Sequence, residues 1–265
     1  MYATSYHRAS SVDEAVSLQG SAEDGKYLAG GMTLISTMKQ RLAAPSDLVD
    51  LRHIAQLAGI SVEGRTVRIG AATRHADVAS SQAIRAVCPA ICTLASHIGD
   101  PHVRQMGTIG GSVANNDPAA DYPSAVLGLG ATVVTNQRSI SADDYFTGLF
   151  ETALEEREIL TAIVFEAPEK AGYAKFANPA SRYAMTGVFV AKTAGGVRVA
   201  VTGAGAGGVF RHAGMEQALS ANWSPDALNA VVVDPSNLMT DMHADASYRA
   251  NLVKVMAKRA VMAAG

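Results

Sequence analysis

The sequence predicts an α+β protein whose texture changes near residues 167–172. Three observations carry that expectation. ISVEGRTVRIG (60–70) alternates on both sides of Glu63-Gly64, the pattern of a β-hairpin, and VFVAKTAGGVRVAVTGAG (188–205) reads as a hairpin around Gly195-Gly196. Stretches with helical periodicity and recognisable caps lie before, between and after them. Beyond Ala167-Pro168-Glu169 the chain becomes a long hairpin followed by helices, which places a domain boundary there.

The elements follow in order. Ser11-Val12-Asp13-Glu14 is a capping-box pattern that opens a short helix through Leu18, with Gly20 ending it. KYLA (26–29) reads as a strand running into Gly30-Gly31, after which Thr33 is placed to cap the helix LISTMKQRL. Leu34, Met38 and Leu42 share one face of that helix and are expected in the core, and Pro45 follows its end. DLVDL (47–51) is a short strand, Thr73 is placed to cap another helix, and a longer helix is expected over 82–97. The stretch 99–117, rich in Gly, Asp and Asn, reads as loop. Pro118 is read as a helix start, with strands near 131–135 and 159–165 after it. The hairpin turning at Gly195-Gly196, a helix near Ser224-Pro225 and another from about Tyr248 to Ala263 complete the chain.

At 265 residues the chain can bury a sizeable core in one large domain or two modest ones. A net charge of −2 and the lack of a dense Lys/Arg block argue against a nucleic-acid or anionic-membrane surface. MYATSYHRASSVDEA lacks the apolar stretch of a signal peptide, and no run of about 18 apolar residues suggests a membrane span. A cytoplasmic location is expected, with the inner face of the membrane left open. Cys88 and Cys92 are the only cysteines; four apart on the expected 82–97 helix, they read as two buried thiols. A zinc or iron–sulfur site needs about four ligands, so any cluster used by this protein is expected on another chain.

Two glycine pairs stand apart from this background. YLAGGMTLI (27–35) and TIGGS (108–112) each put bare backbone at a turn with hydroxyls alongside. Successive amides in such a turn form a concave nest of donors suited to a pyrophosphate. Taken singly, each pair is an ordinary tight turn; together they point towards a dinucleotide. A formal GxGxxG at Gly203, Gly205 and Gly208 is a poor Rossmann fingerprint. Gly214 interrupts the helix that should follow, Asn222 to Pro225 break the chain, and Asp234 falls too late to be the acidic partner.

The segments YLAGGMTLISTMKQRLAAPSDLVDLRHI and IGDPHVRQMGTIGGSVANNDPAADYPSAVLGLGA, with EILTAIVFEAP, KFANPASRYAMTGVFVA and the tail YRANLVKVMAKRAV, carry a resemblance covering about residues 1–263. The chain resembles the FAD-binding medium subunits of molybdenum hydroxylases, the aerobic carbon-monoxide dehydrogenase and xanthine dehydrogenase group. That resemblance implies a two-subdomain PCMH-type FAD-binding fold over 1–168, divided at about 55/56, and a small C-terminal α+β domain over 169–265 with an antiparallel sheet and helices. It implies that Tyr27, Leu28, Ala29, Gly30, Gly31, Met32, Thr33 and Leu34 line one side of the cofactor, and Thr108, Ile109, Gly110, Gly111 and Ser112 the other. Asp121 is implied further along it, and Leu160, Lys175 and Tyr183 near it, Tyr183 towards the isoalloxazine ring. Met32 stands where relatives often carry a small polar residue, so one side-chain hydrogen bond is expected to be missing there.

The resemblance further implies an electron-transfer flavoprotein subunit, part of an oxidoreductase and cytoplasmic. A large subunit would bear molybdopterin, a small subunit two [2Fe–2S] clusters, and the acceptor would be a quinone, NAD or oxygen. A dimer of heterotrimers is implied as well. A stand-alone FAD-dependent oxidoreductase of the same fold is the alternative, and a cofactor-free binding module a third reading. Asp100, His102, Arg104 and His75 tempt a catalytic assignment, but no nucleophile or metal cluster accompanies them. The first three read as surface polar residues, and His75 as a helix-start residue close to the flavin cleft.

Overall fold

A computed structural model describes residues 1–265. The first fifty residues build a small parallel sheet. β1 (Ser5–Arg8), α1 (Val12–Ser21), β2 (Gly25–Leu28), α2 (Leu34–Lys39) and β3 (Asp47–Asp50) alternate strand and helix, and the sheet order is β1-β3-β2 with both pairings parallel. The Ser11 hydroxyl accepts from the Glu14 N–H and the Glu14 carboxylate answers on Ser10, so the capping signal works, although Gly20 does not end the helix. The α2 helix is shorter than its apolar spacing suggests. Met38 is buried, but the helix stops at Lys39 and Arg41 takes a left-handed φ of 61°, leaving Leu42 75 % exposed rather than in the core.

A five-stranded antiparallel sheet follows, ordered β4 (Ile60–Glu63), β5 (Thr66–Gly70), β10, β6 and β7. Between β5 and β6 the chain runs through six helices: α3 (His75–Ser80), α4 (Gln82–Val87), α5 (Pro89–Ser96), α6 (Pro101–Met106), α7 (Ile109–Asn115) and α8 (Tyr122–Gly128). Then come β6 (Thr132–Thr135), β7 (Ser139–Ser141), α9 (Ala142–Tyr145), the small pair β8 (Phe146–Gly148) and β9 (Glu151–Thr152), and β10 (Leu160–Glu166). Ile159, just before β10, packs with Ala15, Val49 and Leu57 and so ties this sheet to the first.

Four further expectations do not hold. The helix over 82–97 is two helices, because Pro89 bars its predecessor from helical geometry and Cys88 sits outside the helical region at φ −153°, ψ 71°. Both cysteines are nevertheless buried thiols. The stretch 99–117 is not loop: Asp100 caps α6 by accepting from the Val103 N–H, with Pro101 at the first helical position, and Thr108 caps α7. Pro118 does not open a helix. Its carbonyl accepts from the Gly203 N–H and the Thr202 hydroxyl, and α8 starts at Tyr122. In the same way Thr73 does not cap α3, since its hydroxyl donates to the Gly59 carbonyl.

The last hundred residues form a four-stranded antiparallel sheet, β11 (Lys170–Ala177), β12 (Ala184–Thr193), β13 (Gly196–Thr202) and β14 (Phe210–Arg211), in that order. Helices α10 (Ala213–Ala221) and α11 (Ala246–Ala264) cover it, with Val188, Val201, Met215, Val253 and Met256 in the shared core. Near Ser224-Pro225 only a single 3₁₀ turn forms. The GxGxxG stretch is the exit from β13. Gly203 has φ 80°, and the buried Arg249 donates to its carbonyl at 2.7 Å and to that of Met185. No parallel strand follows, as a dinucleotide-binding βαβ unit would require. No helix is long and apolar enough to cross a membrane.

Candidate functional site: a cleft between three sheets

A cavity of about 740 Å³ opens where the three sheets meet. The turn after β2, the α6–α7 corner, the start of α8, the residues before β10 and the β11–β12 connection all reach its wall. That volume is in the range of small-molecule and cofactor sites.

The two glycine pairs face this space, and they do different work. On the β2–α2 turn, the N–H groups of Ala29, Gly30, Gly31, Met32 and Thr33 donate no hydrogen bond within the chain. Gly31 takes φ +72°, which bends this row of donors and which a side-chain-bearing residue rarely adopts. On the α7 side the amides are already spent. Ile109 donates to the Thr73 carbonyl at 3.1 Å, Gly110 to Ala71 at 2.9 Å, Gly111 to the Thr108 hydroxyl at 3.1 Å and Ser112 to the Thr108 carbonyl at 3.0 Å. The α7 turn therefore contributes hydroxyls and a bare Cα surface, while the β2–α2 turn contributes the N–H cradle.

Close packing explains the glycines further. A Cβ on Gly30 would overlap the Met106 carbonyl oxygen, and one on Gly110 would lie 2.7 Å from the Ala71 carbonyl oxygen. Those two positions lock the turns against their neighbours. At Gly111 an added Cβ would meet only the Thr108 hydroxyl at 3.0 Å and the Ala29 methyl at 3.2 Å, so this position fronts the gap between the turns. Thr33 makes no side-chain cap, contrary to expectation, and its hydroxyl remains on the cavity wall.

Of the residues implied to hold the cofactor, all but Ile109 and Lys175 line the cavity. Ile109 is packed into the main core. Lys175 stands behind the wall and reaches it only through Asp121, to which its ammonium donates at 2.9 Å. The Tyr173 hydroxyl donates to the same carboxylate. Leu51, Leu57, Ile159 and Leu160 give the cavity an apolar wall; Tyr27 also lines it, its hydroxyl donating to the Arg157 carbonyl at 3.2 Å. Burial pushes that Tyr27 hydroxyl up to about 12. Tyr183 lines the cavity half exposed, beside Arg182, which holds a left-handed φ of 63°.

Sequence reasoning missed Glu158, a buried carboxylate on the same wall. Against the pull of burial, Arg138 and Thr135 hold its acid below the ordinary range, and it also accepts from the Glu155 N–H at 2.8 Å. An acidic residue directly before an apolar strand, as in EILTAI, was the available signal. Asp100, His102 and Arg104 prove structural or surface groups: a helix cap, an exposed imidazole, and a guanidinium donating to the Ile98 and Gly99 carbonyls.

His75 does begin α3 and lie on the cavity wall, its ring 5.3 Å from that of Tyr122. Its Nδ1 is buried without a hydrogen-bond partner, as is the Tyr122 hydroxyl. Burial, assisted by Arg104, lowers the imidazole to about 4. With its folded value depressed below the usual 6.5, His75 favours the folded state above pH 6.5, and that contribution is lost as pH falls towards 4. The full span is worth roughly 3 kcal/mol. Replacing His75 with Leu is expected to flatten the fall in thermal stability between pH 6.5 and 4.5, read by thermal unfolding at several pH values. An unchanged slope would show that His75 is not the group taking up the proton.

A cleft lined by an amide cradle, a bare glycine turn flanked by hydroxyls, apolar side chains and an aromatic is the kind of site that takes a dinucleotide. The family described as FAD binding domain in molybdopterin dehydrogenase matches residues 2–167. The carbon monoxide dehydrogenase medium chain of Hydrogenophaga pseudoflava is 34% identical, over 98% of this chain and 96% of that protein. The nicotine 6-hydroxylase medium subunit of Paenarthrobacter nicotinovorans is 32% identical, again over 98% and 96%. A structure of the Hydrogenophaga pseudoflava carbon monoxide dehydrogenase, in a form lacking the Mo-pyranopterin moiety of its molybdenum cofactor, superposes with a TM-score of 0.89 at 35% identity, covering 98% of this chain and 96% of that one. The chain belongs to this family: it is an FAD-binding medium subunit of the molybdenum hydroxylase type, a flavoprotein component of an oxidoreductase.

Proposed function

We infer that the chain is the electron-transfer subunit of a molybdenum hydroxylase, taking electrons from [2Fe–2S] clusters on a small partner subunit and passing them to an external acceptor. A large molybdopterin-bearing subunit would oxidise the substrate. Bound FAD supplies the redox chemistry, collecting single electrons and releasing them as a pair.

The observation that carries this reading is the row of five unspent N–H groups at Ala29–Thr33 on the wall of the cavity. Backbone donors of that kind suit a diphosphate and need no cation in the turn. The residues therefore fit the cofactor. We assign Ala29–Thr33 to its diphosphate by N–H donation, Thr108 and Ser112 to the opposite side by their hydroxyls, and Tyr27, Leu28, Leu34 and Leu160 to apolar contact. Asp121 and Tyr183 are assigned to the end away from Leu160. We assign residues 1–55 and 56–168 to the two halves of the flavin domain and 169–265 to the C-terminal unit. Relatives of near-equal similarity are named for carbon monoxide and for nicotine. The part common to them is a flavin step, which supports electron transfer rather than substrate selection as this chain's task.

The test is the visible spectrum of the protein purified from its own host with every co-purifying chain retained. The expected result is flavin absorbance overlaid with iron–sulfur absorbance and two further chains on the gel. Flavin on a lone chain would instead make it a stand-alone oxidoreductase, and a colourless protein that takes up no added FAD would sink both.

A further inference from the structure

Behind the cavity wall, three segments remote in sequence converge on one carboxylate. Asp121 stands at the start of α8, Tyr173 and Lys175 on β11, and His97 at the end of α5. Tyr173 and Lys175 are two apart on a strand and so project to the same side. The ammonium of Lys175 lies 2.9 Å from Asp121 Oδ1 and 3.1 Å from Oδ2, and it donates to the His97 carbonyl at 2.8 Å. The Lys175 side chain is 4% exposed and that of Asp121 5%. The ionisable groups facing Asp121 are Lys175 and Tyr173 from β11, His97 beyond them, Tyr122 beside it on α8 and Tyr183 at the cavity mouth. Among these, Lys175 is the cation in direct contact.

Asp121 lies on the cavity wall and Lys175 does not. A charge held in a poorly polarisable wall acts strongly on anything beside it, and reduction of a flavin adds electron density beside that wall. The pair as built presents one negative and one positive charge, a balance that either substitution would break. We propose that Lys175 is a positioning residue acting through Asp121: it balances the carboxylate on the cavity wall and so sets the reduction potential of the bound flavin. This rests on the reading that the cavity holds FAD. Burial pushes the Asp121 carboxyl above its ordinary value, and Lys175 and Tyr173 pull it back down; without Lys175 it would rise further, so the unbalanced negative charge on the wall would grow with pH.

The experiment uses the full chain loaded with FAD, with Lys175→Met, Asp121→Asn, the double variant and Lys175→Arg. Each is titrated potentiometrically with dithionite and mediator dyes at pH 7 and 9, following the couple FAD + 2e⁻ + H⁺ → FADH⁻, in which the flavin gains one negative charge. Asp121→Asn should raise the potential at pH 7, leaving an unbalanced cation. Lys175→Met should lower it relative to the parent, more at pH 9 than at pH 7. Each shift is expected to reach a tenfold change in the reduction equilibrium, about 30 mV for a two-electron couple. The double variant should return to the parent value and Lys175→Arg should stay near it. Potentials that do not move, or singles whose shifts add in the double instead of cancelling, would overturn the proposal. If Lys175→Met fails to hold flavin, Asp121→Asn against the double variant decides: a higher potential in the single supports it, and equal potentials overturn it. A parent chain that takes up no FAD would instead bring down the reading beneath it, before any variant is compared.

Discussion

Gly111→Val should abolish most FAD binding while leaving the fold in place. Gly111 lies within α7 with ordinary helical backbone, so valine costs little there beyond its modest helix penalty. Its Cβ would press on the Thr108 hydroxyl at 3.0 Å and the Ala29 methyl at 3.2 Å, and its γ-methyl groups would occupy the gap between the two turns. A loss of roughly a hundredfold in affinity, about 2.8 kcal/mol, is expected. Gly110→Ala is the informative contrast. Its methyl would sit 2.5 Å from the Ala71 methyl and 2.7 Å from the Ala71 carbonyl oxygen, so α7 must leave the end of β5 and stability falls with binding. Flavin absorbance per chain after gel filtration, beside far-UV circular dichroism and thermal unfolding, separates the cases. Gly111→Val at full flavin occupancy would mean that the gap between the turns is not where the cofactor runs.

Arg249→Met should destabilise the C-terminal unit by about 3 kcal/mol or more, since each buried acceptor stripped of its donor costs about 1–3 kcal/mol. The guanidinium is buried on α11 and donates to the carbonyls of Met185 and Gly203 and, at 2.6 Å, to the Asp241 carboxylate. Methionine preserves the apolar length of the side chain and supplies no donor. The measurement is a urea unfolding midpoint followed by the fluorescence of Trp223, the single tryptophan, which packs against the core of that unit. A midpoint within error of the parent would show that water satisfies those carbonyls.

Much of this architecture is legible in the residues themselves. The hairpins over 60–69 and 187–202 form as read, and the Ser11 capping box does what its pattern says. What the sequence concealed has identifiable physical causes. Glycines and asparagines in 99–117 have low helix propensity, yet Asp100-Pro101 and Thr108 supply caps strong enough to start two helices there. The 82–97 periodicity runs unbroken through Cys88-Pro89, and only the steric demand of proline on its predecessor divides it.

The site was legible as a pair of glycine turns, but not the division of labour between them. Which amides are already spent depends on carbonyls at Thr73 and Ala71, and no local pattern reveals that pairing. Lys175 shows a second limit of the same kind. A lysine two residues from a strand tyrosine does not disclose that both end on a carboxylate some fifty residues away. Contact through an intermediary is a property of the folded chain.

The cavity wall is drawn from all three sheets, with Leu51 and Ala29 from the first, Thr108, Asp121 and Leu160 from the second, and Tyr183 from the third. A ligand that touches every part of a chain contributes to holding those parts together. At a free concentration a hundred times its dissociation constant, such a ligand adds about 2.7 kcal/mol to the folded state. FAD held in this cavity would make the flavin supply of the cell a term in the protein's turnover. Chains made when flavin is scarce would breathe at the junction of the sheets and be cleared by proteases sooner, so that the abundance of the subunit follows its cofactor even at constant synthesis.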